Sequence, residues 1–285
     1  LNDQASQLRN LVKGTRHAKK VRTIALSSGK GGVGKTSICV NLAFTLASMR
    51  KRVLIFDADM GLANIDVLLG IHPAFNLSHV IQGSKPLHEI IASLHGGVKL
   101  IPGASGAQFM SELSMEERKS IIQAFAEFND SVDYLLIDTA AGITKNVTDF
   151  IIAAGELIVV ATPDPTSITD AYALMKVVLR STPDLKVSVF INQVTSLREA
   201  QEVDEKLQLV TQRFLGKTVK SIGFMQKDSI VVHAIRKQEP FVLYDERCQP
   251  SASMRLLASR LCQSTVEEGN TLVEFAEKLT GAELE

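Results

Sequence analysis

The chain has 285 residues, 45% of them hydrophobic and 22% charged, the composition of a folded protein with room for one large domain or two small ones. Lys plus Arg and Asp plus Glu balance at 31 each, so no overall field draws in nucleic acid or an anionic membrane, and 5% aromatic residues without Trp disfavour a base-stacking single-strand platform. No run of about 18 apolar residues is present and the N-terminus lacks a signal-peptide core, so a cytoplasmic protein without a spanning helix is expected.

In chain order, residues 1 to 11 (LNDQASQLRNL) predict a short helix with Ala5, Leu8 and Leu11 or Val12 on one side. Lys13, Arg16, Lys19, Lys20 and Arg22 then form a basic linker around Gly14, and residues 1–20 read as a unit detachable from the rest of the chain. Val21 to Ser28 is a β-branched run of strand type, and Thr36 to Met49 is a mostly apolar, breaker-free run of helix length. Between them lies Gly29-Lys30-Gly31-Gly32-Val33-Gly34-Lys35-Thr36, which fits the phosphate-loop pattern in the strand, loop, helix order that the pattern requires. Its glycines let successive backbone N–H groups converge on a phosphate. Lys35 supplies a charge to the outer phosphates and Thr36 a hydroxyl to magnesium. The nucleotide-binding set is therefore Gly29 to Ser37, and Lys30 is a second cation that the pattern does not require. Cys39 sits in the helix and reads as packing. With Cys248 and Cys262 it makes three widely spaced cysteines without CxxC or Cys/His metal spacing, as expected of reduced thiols.

Further on, Arg52 to Phe56, Val98 to Pro102, Val132 to Ile137, Leu157 to Ala161, Val187 to Ile191 and Val219 to Phe224 read as buried strands, with helical stretches between most of them. This alternation predicts an α/β fold, a doubly wound, mainly parallel sheet with helices on both faces, over residues 21–265. Ligands in such sheets sit beyond the carboxyl ends of the strands. Asp57 and Asp59 follow the second strand and Asp138 ends Tyr134-Leu135-Leu136-Ile137, so three carboxylates converge on the edge that carries the phosphate loop. A carboxylate fixed at a strand tip is what a magnesium site requires, although a lone Asp there is more often a turn or cap residue.

The phosphate loop with its early lysine, the run Asp57-Ala58-Asp59-Met60-Gly61-Leu62-Ala63-Asn64 and Asp138-Thr139-Ala140-Ala141-Gly142 resemble the MinD/ParA family of deviant-Walker ATPases. The run from Pro165 to Leu174, Ala140 where MinD itself has proline, and Asp3-Gln4-Ala5 followed by Leu8-Arg9 are similar to its flagellar FlhG (FleN, YlxH) branch. The resemblance covers about Val21 to Cys262 and implies a slow, ATP-dependent, dimerising ATPase that controls flagellar number and placement. It implies that Lys30 reaches the partner's phosphates in an ATP-bound homodimer and that Lys35 and Thr36 keep the roles above. It gives Asp59 the attacking water, Asp57 and Asp138 the magnesium ion, Gly142 the second switch and Asn192 the adenine edge. A turn residue is the plainer reading of Asn192. Met225-Gln226-Lys227-Asp228 departs from the proline-containing loop that MinD carries there.

For the ends of the chain, the resemblance implies that Asp3, Gln4, Leu8 and Arg9 stimulate an FlhF-like GTPase of the signal-recognition-particle class, the Gln4 amide orienting water at that protein's phosphoryl-transfer site. Flagellar switch-complex proteins or a flagellar transcription regulator are further partners it implies. Residues 266–285 read as an amphipathic tail with Leu272, Phe275, Ala276 and Leu279 on one face. Its two readings are reversible contact with the inner face of the cell membrane through Leu272, Phe275 and Leu279, and docking on its own domain. Six glutamates against Lys278 in this tail oppose the membrane reading, because membrane-surface helices carry Lys or Arg. Alternative functions are a MinD-type division-site ATPase and a ParA-like DNA segregation ATPase. The second needs a basic DNA surface, which the balanced charge disfavours.

Overall fold

The structure, a computed structural model, describes residues 20–59, 64–103, 114–263 and 270–281. Asp3, Gln4, Leu8 and Arg9 lie outside the described residues. The centre is an eight-stranded sheet of order β3-β4-β2-β5-β1-β6-β7-β8. Its strands are β1 (Arg22–Ser28), β2 (Val53–Ala58), β3 (Ala92–Ser93), β4 (Lys99–Ile101), β5 (Tyr134–Ala141), β6 (Glu156–Ala161), β7 (Lys186–Val194) and β8 (Ser221–Gln226). All neighbours pair in parallel except β3 and β4. The doubly wound, mainly parallel sheet expected from the alternation is present. β3 was not expected, since two residues carry no periodicity.

Alternation along each strand divides the core. Ala25, Leu135, Ile137, Leu157 and Val159 join one buried cluster, while Ile24, Leu26, Tyr134, Leu136, Ile158 and Val160 join the other. A strand's period of two makes this division automatic once both faces are covered. The second face is covered by α1 (Lys35–Ser48) and by α11 (Gln249–Gln263), which follows the short α10 (Phe241–Tyr244). The first is covered by α5 (Met115–Ala126), α6 (Lys145–Ala154), α7 (Pro165–Ser181), α8 (Leu197–Leu215) and α12 (Leu272–Thr280). Short helices α2 (Ile65–Leu69), α3 (Leu77–Ile81) and α4 (Leu87–Ile90) lie between β2 and β3, and α9 (Ser229–Arg236) follows β8.

The C-terminal helix is part of the interior. Leu272 and Phe275 are fully buried and Leu279 nearly so, and the Phe275 ring meets Phe125 edge-on with centroids 5.7 Å apart. Thr271 and Glu274 close a capping box at its start, Asn129 accepts from the Leu272 N–H at 2.8 Å, and Asn270 bridges to Val21 at the entry to β1. The docked arrangement is the one the structure shows. A membrane contact through Leu272, Phe275 and Leu279 requires α12 to leave the core and expose that surface to water. Among the described residues, no helix is long and apolar enough to cross a membrane.

Candidate functional site

The phosphate loop leaves β1 at the centre of the sheet, where chain order reverses between β5 and β6 on either side. That is the topological switch point of an open sheet, the place where a crevice opens. Gly34 caps α1 with φ 88°, a left-handed conformation that an L side chain resists, and a Cβ there would lie 2.5 Å from the Asn192 amide nitrogen. No side chain caps this helix end, so its first N–H groups are left for an anion. Ser28, Gly31 to Ser37, Asp59, Asn64, Val67, Leu68, Ala141, Ile235 and Gln238 line a cavity of about 670 Å³, within the size range of small-molecule sites.

The two strand-tip aspartates lie inside the ladder. β2 runs through Asp57 to Ala58 and β5 through Asp138 to Ala141, and Asp57 pairs in register with Asp138. Both are buried. Lys35 Nζ reaches Asp138 Oδ1 at 2.7 Å, while Asp138 Oδ2 is buried with no hydrogen-bond partner. Burial raises the Asp138 carboxyl above its ordinary range, against the pull of Lys35 and Thr36. Asp57 is pushed up to about 7, first by burial and then by the Asp138 charge, against bonds from the Asp59 and Ile65 N–H groups. Of these two buried carboxylates, Lys35 pairs with Asp138. The Thr36 hydroxyl, Asp57 and Asp138 form the oxygen-rich donor set that suits magnesium, and the unpartnered Oδ2 fits that ion.

Asp59 stands at the cavity edge, its backbone N–H on Asp57 at 3.1 Å and its Oδ2 accepting from the Asn64 amide at 2.9 Å. Lys30 does not line its own chain's cavity. Its Nζ donates to Thr166 Oγ1 at 3.0 Å in the first turn of α7, and Gly29 lies against the backbone of Asp170 one turn on. The Pro165 to Leu174 run therefore packs beside the phosphate loop. Asn192 is buried, donates to the Val33 carbonyl at 2.7 Å and accepts from the Gln193 N–H at 2.8 Å. In this arrangement it braces the phosphate loop from beneath. Gly142, at φ 102°, donates to the Ser28 carbonyl. Asn64 closes the 57–64 run read from the sequence, whereas Val67, Leu68, Ile235 and Gln238 were not singled out from it. They carry no motif, and α2 and α9 come together here from distant parts of the chain.

A family model described as an AAA domain matches residues 21–189. FleN of Pseudomonas aeruginosa, an antiactivator, is 41% identical over 241 residues, 85% of this chain and 86% of its own length. This chain belongs to the MinD/ParA family of P-loop ATPases. Within that family the chain is also similar to the flagellum site-determining protein YlxH of Helicobacter pylori, 34% identical over 84% of this chain and 83% of YlxH. The fold matches MinD of Pyrococcus horikoshii, solved with Mg-ADP, at a TM-score of 0.68 and 22% identity, covering 85% of this chain and 96% of that one. The two lysines of the loop of this MinD/ParA ATPase are thus placed apart, Lys35 lining the cavity and Lys30 bonded to Thr166 outside it.

Proposed function

We propose that this protein is an ATP-switched regulator of flagellar number and placement whose nucleotide state is coupled to homodimerisation. The observation that carries the reading is the 41% identity to FleN over 85% of the chain, together with a fully equipped phosphate site. ATP or ADP occupies the cavity above Gly29 to Ser37. Thr36, Asp57 and Asp138 would hold magnesium, which would supply positive charge to offset the phosphates. Lys35 exchanges Asp138 for the outer phosphates, and Asp59, steadied by Asn64, orients the attacking water. Phosphoryl transfer of this type needs positioning and charge more than a strong base, and slow turnover suits a timer.

Lys30, bonded to Thr166 in the single chain, acts on a partner's phosphates, and this links ATP to the dimer. Asn192 supports the loop and, with nucleotide bound, the adenine edge. The segment with Asp3, Gln4, Leu8 and Arg9 stimulates an FlhF-like GTPase, and switch-complex proteins or a flagellar transcription regulator read the dimer, in the cytoplasm. The deciding experiment measures ATP turnover and the GTPase activity of an FlhF-like partner. Deleting residues 1–12 is expected to leave ATP binding intact and abolish GTPase stimulation. Unchanged stimulation sinks the N-terminal role, and absence of ATP turnover in the intact protein sinks the ATPase reading.

A further inference from the structure

We infer that Gln238 is a positioning residue for Asp59, acting across the nucleotide cavity through helix α2. The inference rests on the ATPase reading for the role of Asp59, but its structural half stands independently.

Helix α9 ends in a Schellman turn. The Gln238 N–H bonds the Ile235 carbonyl at 3.0 Å, and the Glu239 N–H bonds the Ala234 carbonyl at 3.1 Å. The left-handed position of such a turn normally belongs to glycine, yet Gln238 occupies it at φ 55°. A glutamine in a glycine position calls for a role for the side chain. Its Nε2 donates to the Val67 carbonyl at 3.0 Å, across 171 residues of sequence, in the last turn of α2.

That helix also ends in a Schellman turn. Gly70 at φ 62° bonds the Val67 carbonyl at 3.4 Å and Ile71 bonds the Asp66 carbonyl at 3.0 Å. A Cβ on Gly70 would stand 2.9 Å from Gln238 Oε1, so the glycine in one turn admits the glutamine of the other. The 3.4 Å bond is long, and Gln238 supplies the better donor to the same carbonyl. Helix α2 needs this external hold. It has five residues, too few to persist alone, and buries only Ile65 fully, while Val67 is 66% exposed. At its other end, Asn64 holds Asp59 Oδ2 and the Ile65 N–H approaches Asp57. A strut on the last turn of α2 therefore fixes where its first turn presents Asp59.

The test compares Gln238→Gly and Gln238→Glu in the full chain. Glycine relieves the backbone and removes the strut, while glutamate keeps the length but cannot donate. Gln238→Gly is expected to match or exceed the wild-type Tm. In nucleotide-free protein, the Leu68, Gly70 and Ile71 amides are expected to exchange severalfold faster in both variants. ATP turnover is expected to fall three- to tenfold in kcat with little change in KM. Unchanged α2 exchange in both variants overturns the strut. Faster exchange with kcat intact overturns its link to Asp59, and a raised KM with kcat intact makes Gln238 a nucleotide contact instead. A wild-type protein without ATP turnover removes the ATPase reading, and amide exchange still decides the strut.

Discussion

Asp57 and Asp138 are register partners on adjacent parallel strands, both buried, and Lys35 is paired with only one of them. This pairing stores unfavourable electrostatic energy in the nucleotide-free fold, in the place where a divalent cation would relieve it. Its consequence is a pH dependence of defined sign. Asp57 titrates near 7 in the folded chain against an ordinary value of 3.8, so between those values the native state holds a proton that the unfolded state has released. Stability is therefore greatest at low pH within this window, falls as pH rises toward 7, and levels off above it. Thermal unfolding of nucleotide-free protein between pH 5 and 8 is expected to show a decline on the order of 2–3 kcal/mol. Asp57→Asn is expected to flatten most of it, and Mg-ATP to stabilise more at pH 8 than at pH 6.

Lys35 has a structural role besides the nucleotide role proposed for it, because it balances a fully buried carboxylate. Lys35→Ala is expected to abolish ATP binding and also to lower the stability of nucleotide-free protein by about 3 kcal/mol, the scale for orphaning a buried charge. Adding Asp138→Asn is expected to restore part of the stability and none of the turnover, as read by denaturant unfolding and an ATPase assay.

Lys30 is exposed, with one hydrogen bond to Thr166, so Lys30→Ala is expected to change stability by less than about 0.5 kcal/mol. It is expected to bind nucleotide as a monomer and fail to dimerise with ATP. Light scattering after size exclusion decides the matter, and a stable ATP dimer in this variant overturns a role for Lys30 across the interface. Asp59→Ala is the counterpart, expected to retain ATP and accumulate dimer while losing turnover.

Phe275 is fully buried against Phe125. Phe275→Ala is expected to destabilise the domain by about 3–5 kcal/mol, an effect that a loosely attached tail would not produce. Liposome flotation with ATP and with ADP, with Phe275→Glu as control, measures the release of α12. ATP-dependent flotation of the intact protein would show that the helix leaves its seat.

Much of the site was legible because its parts are local. Gly29 to Thr36 is one contiguous loop, and Asp57 and Asp138 each follow a recognisable apolar strand, so motif and periodicity located them together. Asn192 was legible as a polar residue at a strand end, but its hold on Val33 depends on β7 lying beside β6, one strand away from β1. Gln238 was not legible. Its significance is a left-handed turn and a bond to a carbonyl far away in sequence, neither of which leaves a pattern in neighbouring residues.

The sequence alone determined the fold class, the phosphate site and the family, because hydrophobic periodicity and a glycine-rich loop are properties of short segments. The C-terminal helix had two readings in sequence, since an apolar stripe fits a membrane or a core equally well, and only the complementary surface of α5 and α6 decided between them. Tertiary structure likewise set Lys30 outside its own cavity, opposed Asp57 to Asp138 and brought Gln238 to α2. These are relations between segments far apart in the chain, and packing, not local propensity, supplies the free energy that holds them.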